Sequence, residues 1–448
     1  MGRTHAIGVE AAAGGRSGIE IAIQPSLVVL ILIAMPVAAH AQSALAPGSP
    51  GNPTPTVRFP PGVSVVEVPF RFEGNTILLD ARVNGSDPLV FVLDTGTYDN
   101  VVMKPQKLEG VKLDFGGSEG ESGGHGHVRV AQGVRLDLGQ LQLEGGELAV
   151  MPQSTLSGLG KVAWDGILGD PFFENLVVEV DWENETLRLH DPAVFEPPKD
   201  ALSIPLEREA GHIYLSSDVE IEGKTTSVRL IVDTGSTGAL SLRSDRVSVP
   251  SRRVVDVILG RGLGGVVKGD FGRVDKLLLG DLEFEGVLTT FLDNSSKMIA
   301  VRGDGNLGLE VLRRTWVAFD YPNNRMLLMP SAVVTEPFIF TTSGLRIENE
   351  IAEDGTISVL DVYADTPAAE AGLAVGDRIV SMNSQPVQEL GVKSIRALLR
   401  QEPGITVRLG IKSADAMREV ELKLEKILWG IPSPDGITLE RGSSSARI

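Results

Sequence analysis

The same tripeptide closes two apolar runs, and this repetition sets the tightest limit on how this 448-residue chain can fold. Leu89-Val90-Phe91-Val92-Leu93 leads into Asp94-Thr95-Gly96, and Leu230-Ile231-Val232 leads into Asp233-Thr234-Gly235. Seventy-one residues separate Asp94 from Asp165-Gly166-Ile167-Leu168-Gly169, and seventy-one separate Asp233 from Asp304-Gly305-Asn306-Leu307-Gly308. Residues 177–182 and 316–321 keep the same offset of 139. Residues 141–145 and 282–286 match at 141 instead, as small compensating insertions would cause. A period this long marks a duplicated domain, because a solenoid unit is far shorter.

A carboxylate placed directly after a buried run is costly unless it is held for a purpose. Two of them at equivalent places point to a paired site. Carboxylates a few ångströms apart cannot both ionise, so they share a proton and titrate together. One member is then a base and the other an acid at the same pH, which suits activation of water against a carbonyl. Gly96 and Gly235 permit tight turns that bring backbone amides to the carboxylates. Thr95 and Thr234 can hydrogen-bond across an axis between the repeats, and the hydroxyls of Thr97 and Ser236 can reach the neighbouring Asp. Such chemistry needs no metal, cofactor, thiol or serine nucleophile, and none is expected.

These residues resemble the aspartic peptidases, and most closely the bacterial retropepsin-like proteins. Phe91-Val92-Leu93-Asp94-Thr95-Gly96 and Leu230-Ile231-Val232-Asp233-Thr234-Gly235-Ser236 carry the catalytic signature. Ile167-Leu168-Gly169 and Leu307-Gly308 carry the second signature, which packs behind the active loop. The resemblance spans about residues 63–330 and implies a mainly β fold. It further implies two homologous lobes related by a pseudo-two-fold axis, with a cleft between them. Asp94 and Asp233 are the implied catalytic pair. Asn306 departs from the family's apolar residue, and Thr97-Tyr98-Asp99-Asn100 is an uncommon continuation. Asp99, if it points inward, would raise the upper pKa of the pair. The resemblance also implies flaps, and the glycine-rich stretches 116–130 and 259–271 are placed to form them. His125 and His127 have no evident third partner for a metal. Gly262-Leu263-Gly264-Gly265 lacks the βαβ context of a nucleotide loop.

Local signals agree with β-rich lobes. Residues 77–83 and 89–93 flank Asn84-Gly85, and 213–221 and 228–232 flank Glu222-Gly223-Lys224. A further hairpin closes each lobe, around 183–185 and 322–324. Only 170–175 and 309–314 read as short helices. From Thr341 the texture changes, and residues 341–425 resemble a bacterial PDZ domain, a small α+β module. Its marks are Gly344-Leu345-Arg346-Ile347, Pro367-Ala368-Ala369-Glu370-Ala371-Gly372-Leu373 and Gly376-Asp377-Arg378-Ile379. The resemblance implies that the amides of Leu345, Arg346 and Ile347 hold a peptide C-terminus.

Leu27 to Ala38 is apolar apart from Pro36, and Ala39-His40-Ala41 follows, which reads as a signal peptide cut after Ala41 and too short for a permanent span. The expected layout is a signal peptide at 1–41, a Pro/Gly-rich linker at 42–62, and lobes at 63–200 and 201–334. A PDZ domain at 335–426 and a tail at 427–448 complete it. With 41 basic against 59 acidic residues the net charge is −18, which argues against a nucleic-acid partner. The absence of cysteine fits an exported bacterial protein without disulfides, periplasmic or secreted. The expected activity is that of a monomeric aspartic endopeptidase, an internal pseudo-dimer, acting on polypeptides recruited or gated by the PDZ groove. The competing expectation is a peptide-binding scaffold with the same cleft and no turnover.

Overall fold

The computed structural model describes residues 54–428, leaving out 117–118, 122–126, 153–163, 210–211, 252–254, 263–264, 294–302, 339, 349 and 414–415. The expected signal peptide, the tail beyond 428 and His125 lie outside the described residues.

The first lobe grows from period-two alternation. Along Val65–Glu73, Val66, Val68 and Phe70 turn into the core while their neighbours face out. Thr76–Val83 pairs antiparallel with Leu89–Leu93, Leu78 opposite Val92. Asn84 and Gly85 turn the chain at φ of 47° and 78°, a left-handed pair that these two residue types tolerate. In the second lobe His212–Ile221 pairs with Lys224–Asp233, with Glu222 and Gly223 taking the same left-handed turn. Each Asp-Thr-Gly strand then gains a parallel neighbour from its second signature. Leu93 lies opposite Leu168, and Asp233 opposite Gly308. Asp165 and Asp304 tie this arrangement, each accepting a 2.9 Å hydrogen bond on Oδ2, from the amides of Val90 and Arg229 respectively. The repeat in the sequence is therefore a repeat of bonds.

The closing hairpins of the two lobes join into one sheet. Val177–Asp181 pairs antiparallel with Thr315–Asp320, and Val65–Glu73 and Leu202–Pro205 flank the set. Glu179 faces Ala318, its own equivalent in the repeat, so the pseudo-two-fold axis runs through that pair. Around it one continuous hydrophobic core spans both lobes. The expected helices form as Asp170–Phe173 and Leu309–Leu312, each just after a second-signature glycine. Gly169 and Gly308 admit the active-loop backbone so closely that any Cβ would overlap carbonyl oxygens of the loop.

Three expected boundaries shift. Thr56–Arg58, inside the stretch read as linker, pairs with Leu141–Val150, and Val57 packs on the core, because a short β-forming Thr-Val-Arg finds an open sheet edge. Phe338 belongs to the core of the lobes, so the second lobe runs past 334. Ile427 and Leu428 are buried, so packing continues into the stretch expected as tail.

The C-terminal module has its own core and a sheet in the order Leu345–Ile347, Ile357–Val362, Arg378–Met382, Thr406–Ser413 and Ala416–Lys423. Helices Pro367–Glu370 and Val387–Leu398 cover it, the second broken by Gly391 at φ 72°. It is anchored to the second lobe. Phe271, Phe340 and Tyr363 stack in series at 5.5 and 5.7 Å. Within the second lobe, Arg273 Nη2 donates at 2.7 Å to the carbonyl of Phe338, two residues before Phe340. Arg314, fully buried, bonds Glu310 and lies 3.7 Å from the Phe338 ring centroid.

Candidate active site

Asp94 and Asp233 meet at the pseudo-two-fold axis. Both are almost wholly buried, and their carboxyls are within hydrogen-bonding reach of each other. Two threonines lock the loops that carry them. The Thr95 amide donates to Thr234 Oγ1 and the Thr234 amide to Thr95 Oγ1, both at 3.0 Å. Each hydroxyl in turn donates to the opposite strand, Thr95 to the Val232 carbonyl at 2.8 Å and Thr234 to the Leu93 carbonyl at 2.9 Å. Four interlobe bonds thus come from two side chains, and every polar group in the grip is satisfied.

The glycines work as expected and do more. The Gly96 amide donates to Asp94 Oδ1 at 2.8 Å. A Cβ on Gly96 would sit 2.7 Å from Asp233 Cγ, and one on Gly235 would come closer still to Asp94 Cγ. Each glycine makes room for the carboxylate of the other lobe. Thr97 Oγ1 donates to Asp94 Oδ2 at 2.6 Å. At Ser236 the expectation of a hydroxyl contact is corrected, because the backbone amide donates to Asp233 Oδ1 at 2.8 Å. Burial raises the pKa of both carboxyls, and at Asp233 the Asp94 charge raises it further.

Beside the loops, Ile167 and Leu168 pair with Val92 and Leu93, and Leu307 and Gly308 with Val232 and Asp233, while Gly169 follows Leu168. The Asp94 amide donates to the Leu168 carbonyl at 2.9 Å, and the Leu309 amide to the Ser236 carbonyl at 2.8 Å. Asn306, the odd residue of that signature, turns its amide to the site. Its Nδ2 donates to Asp233 Oδ2 at 2.8 Å.

Two further residues reach from one lobe to the active loop of the other, and neither belongs to a motif. Asn75, buried in the first lobe, donates to the Thr237 carbonyl. His212, from the second, lies within hydrogen-bonding reach of the Gly96 carbonyl, and burial lowers its pKa. A polar residue beside a strand start was the only signal in the sequence. Asp99 faces Glu147 and Asp170, and burial first and those charges second push it up to about 6.

The glycine-rich stretches form hairpins, Glu119–Glu121 with His127–Leu138 and Val255–Gly262 with Gly265–Arg273, whose tips at 122–126 and 263–264 lie outside the described residues. In the C-terminal module Gly344 is left-handed at φ 79°, and Leu345–Ile347 pairs with Ile357–Val362. The Leu345 amide already donates to Ser343 Oγ at 3.2 Å, and Arg346 sits 3.6 Å from Asp361. Among the described residues no cluster of side chains could hold a metal ion, and no helix is long and apolar enough to cross a membrane.

Two families match parts of the chain. Residues 217–311 match the family described as aspartyl protease, and residues 358–413 match the PDZ domain family. No curated protein matches the chain. Among solved structures, an aspartic proteinase from Irpex lacteus is similar at 15% identity and a TM-score of 0.40, covering 61% of this chain and 99% of its own. Basic 7S globulin from soybean is similar at 11% identity and a TM-score of 0.40, covering 60% of this chain and 95% of its own.

Proposed function

We propose that this chain is a single-chain aspartic endopeptidase in which Asp94 and Asp233 activate water, with the PDZ module recruiting or gating polypeptide substrate. The observation that carries the reading is the buried pair of carboxyls held face to face by the Thr95–Thr234 grip. A pair sharing one proton has both halves of the chemistry at hand. The ionised carboxylate takes a proton from water as its oxygen bonds to the scissile carbonyl carbon, and the protonated partner gives its proton to the carbonyl oxygen. Collapse of the gem-diol breaks the C–N bond as the amine nitrogen takes up a proton. One water is consumed and the pair returns to its starting charge.

The remaining residues take supporting roles. Thr97, Gly96 and Ser236 orient the carboxylates through the contacts they make, and the two hairpins are the flaps that cover bound peptide. The loop Gly344-Leu345-Arg346-Ile347 receives a peptide C-terminus as an added strand, with the amides of Arg346 and Ile347 as its donors. The apolar run at 27–38 and Ala39-His40-Ala41 support export with cleavage after Ala41.

Digestion of a mixed peptide library, with and without pepstatin, tests the activity. Cleavage that pepstatin blocks and that Asp94→Asn or Asp233→Asn each abolishes is the expected result. Undiminished turnover in either variant would refute the mechanism, and binding without product would make the chain a scaffold. Edman sequencing of exported protein should begin at Gln42.

A further inference from the structure

The two carboxyls of the pair have different outer partners. In the first lobe the residue opposite Val92 is Ile167, buried among Leu78, Met103 and Trp164. In the second lobe the equivalent place, opposite Ile231, is held by Asn306. Asparagine is a poor choice for the middle of a strand, where its amide competes with the ladder and gains nothing from packing. Here the half-buried amide is turned to the site and donates to Asp233 Oδ2 at 2.8 Å.

The chemistry of the two outer contacts differs. Asp94 Oδ2 meets the hydroxyl of Thr97 at 2.6 Å, and a hydroxyl can donate to a carboxylate or accept from a carboxylic acid. Asp233 Oδ2 meets an amide nitrogen, which only donates. A proton on Asp94 therefore keeps its neighbour bonded, whereas a proton on Asp233 Oδ2 would face a second N–H. Burial and the Asp94 charge push Asp233 up in this structure, and the Asn306 amide, which can only donate, opposes both. Asn306 is the counterweight. We infer that Asn306 is a positioning residue that sets the resting negative charge of the pair on Asp233 and leaves the shared proton on Asp94. The other titratable groups near the pair are His212, at the Gly96 carbonyl, and Tyr321, packed beneath Thr95. Asp304, two residues before Asn306, is turned away to the Arg229 amide and Arg246.

The inference rests on the paired-carboxylate reading but does not require turnover. The test is a carboxyl titration by NMR of full-length protein labelled with 13Cγ aspartate, the two resonances being assigned from Asp94→Asn and Asp233→Asn. In the wild type the Asp233 resonance should respond at the lower pH of the two. Asn306→Ile, which copies the first lobe, and Asn306→Ala should each raise that lower pKa by about one unit, the worth of one hydrogen bond to a charged group. Asp165 is the internal reference. Its resonance stays in place if only the amide contact is lost, and moves if the lobe has loosened. A lower dyad pKa that is unchanged or reduced in both variants, or Asp94 responding first in the wild type, overturns the inference. A protein that titrates as expected yet cleaves nothing would sink only the peptidase reading.

Discussion

At the scale of single residues, the site depends on small groups that leave no slack. Thr95 supplies an acceptor to the Thr234 amide and a donor to the Val232 carbonyl. Thr95→Val removes both and strands a buried N–H, which should cost about 3 kcal/mol, whereas Thr95→Ser should cost far less. Chemical denaturation of the two variants side by side measures the difference. Gly235→Ala puts a methyl into the Asp94 carboxylate, held from behind by backbone. We expect at least about 100-fold loss in kcat/KM with the fold retained, since a displacement of about 1 Å at a catalytic group has that effect. The threonines, the glycines and both aspartates were legible in the sequence because duplication wrote each of them twice. Asn75 and His212 announce nothing until their partners in the other lobe are known, and Asn306 stands out in the sequence only as a departure, with its partner Asp233 unseen.

At the scale of elements, hairpins and short helices followed from turn chemistry and alternation, and they formed within a few residues of where they were expected. Their partners did not follow. The closing hairpin around Glu183-Asn184-Glu185 reads as the end of one lobe, yet its strand Val177–Asp181 pairs with Thr315–Asp320 of the other. Pairing between strands more than a hundred residues apart leaves no local mark. The same holds for the junction with the C-terminal module. Phe271 lies in the hairpin Val255–Gly262 with Gly265–Arg273, proposed as the second flap, and Phe340 links it to Tyr363, beside the strand proposed to bind peptide. Phe340→Ala should remove about 3 kcal/mol of packing from this joint while leaving the separate core of the module intact. Calorimetry should then resolve two unfolding transitions in place of one, and a protease should cut between 331 and 344. A single unshifted transition would show that the joint lies elsewhere.

At the scale of the whole molecule, buried acids tie stability to pH. Burial pushes both Asp99 and Asp170 up to about 6, so the folded state holds protons there that the unfolded chain releases. Their contribution, on the order of 2–3 kcal/mol each, is complete below the ordinary aspartate value and lost as pH rises through 6. Glu179, at the axis of the interlobe sheet, behaves oppositely. Against the upward push of burial, hydrogen bonds from His190, Trp316 and Arg188 hold it down to about 2. Its contribution is complete above the ordinary glutamate value and disappears as pH falls through about 2. The melting temperature should therefore peak near pH 4–5 and fall toward both neutrality and strong acid. Asp99→Asn should flatten the neutral-side slope, and a profile with its maximum at pH 7 would contradict these assignments.

The amino-acid sequence alone determined that the chain builds one lobe twice and ends in a separate α+β module, because repeat spacing, alternation and turn residues are local properties. It also determined which two acids form the pair. Only the tertiary structure decided how the halves lock, that the closing hairpins merge across the axis, and that an asparagine breaks the symmetry at Asp233. Those features depend on distances between residues far apart in the chain, which come into being when the backbone closes on itself and burial forces each polar group to find a partner.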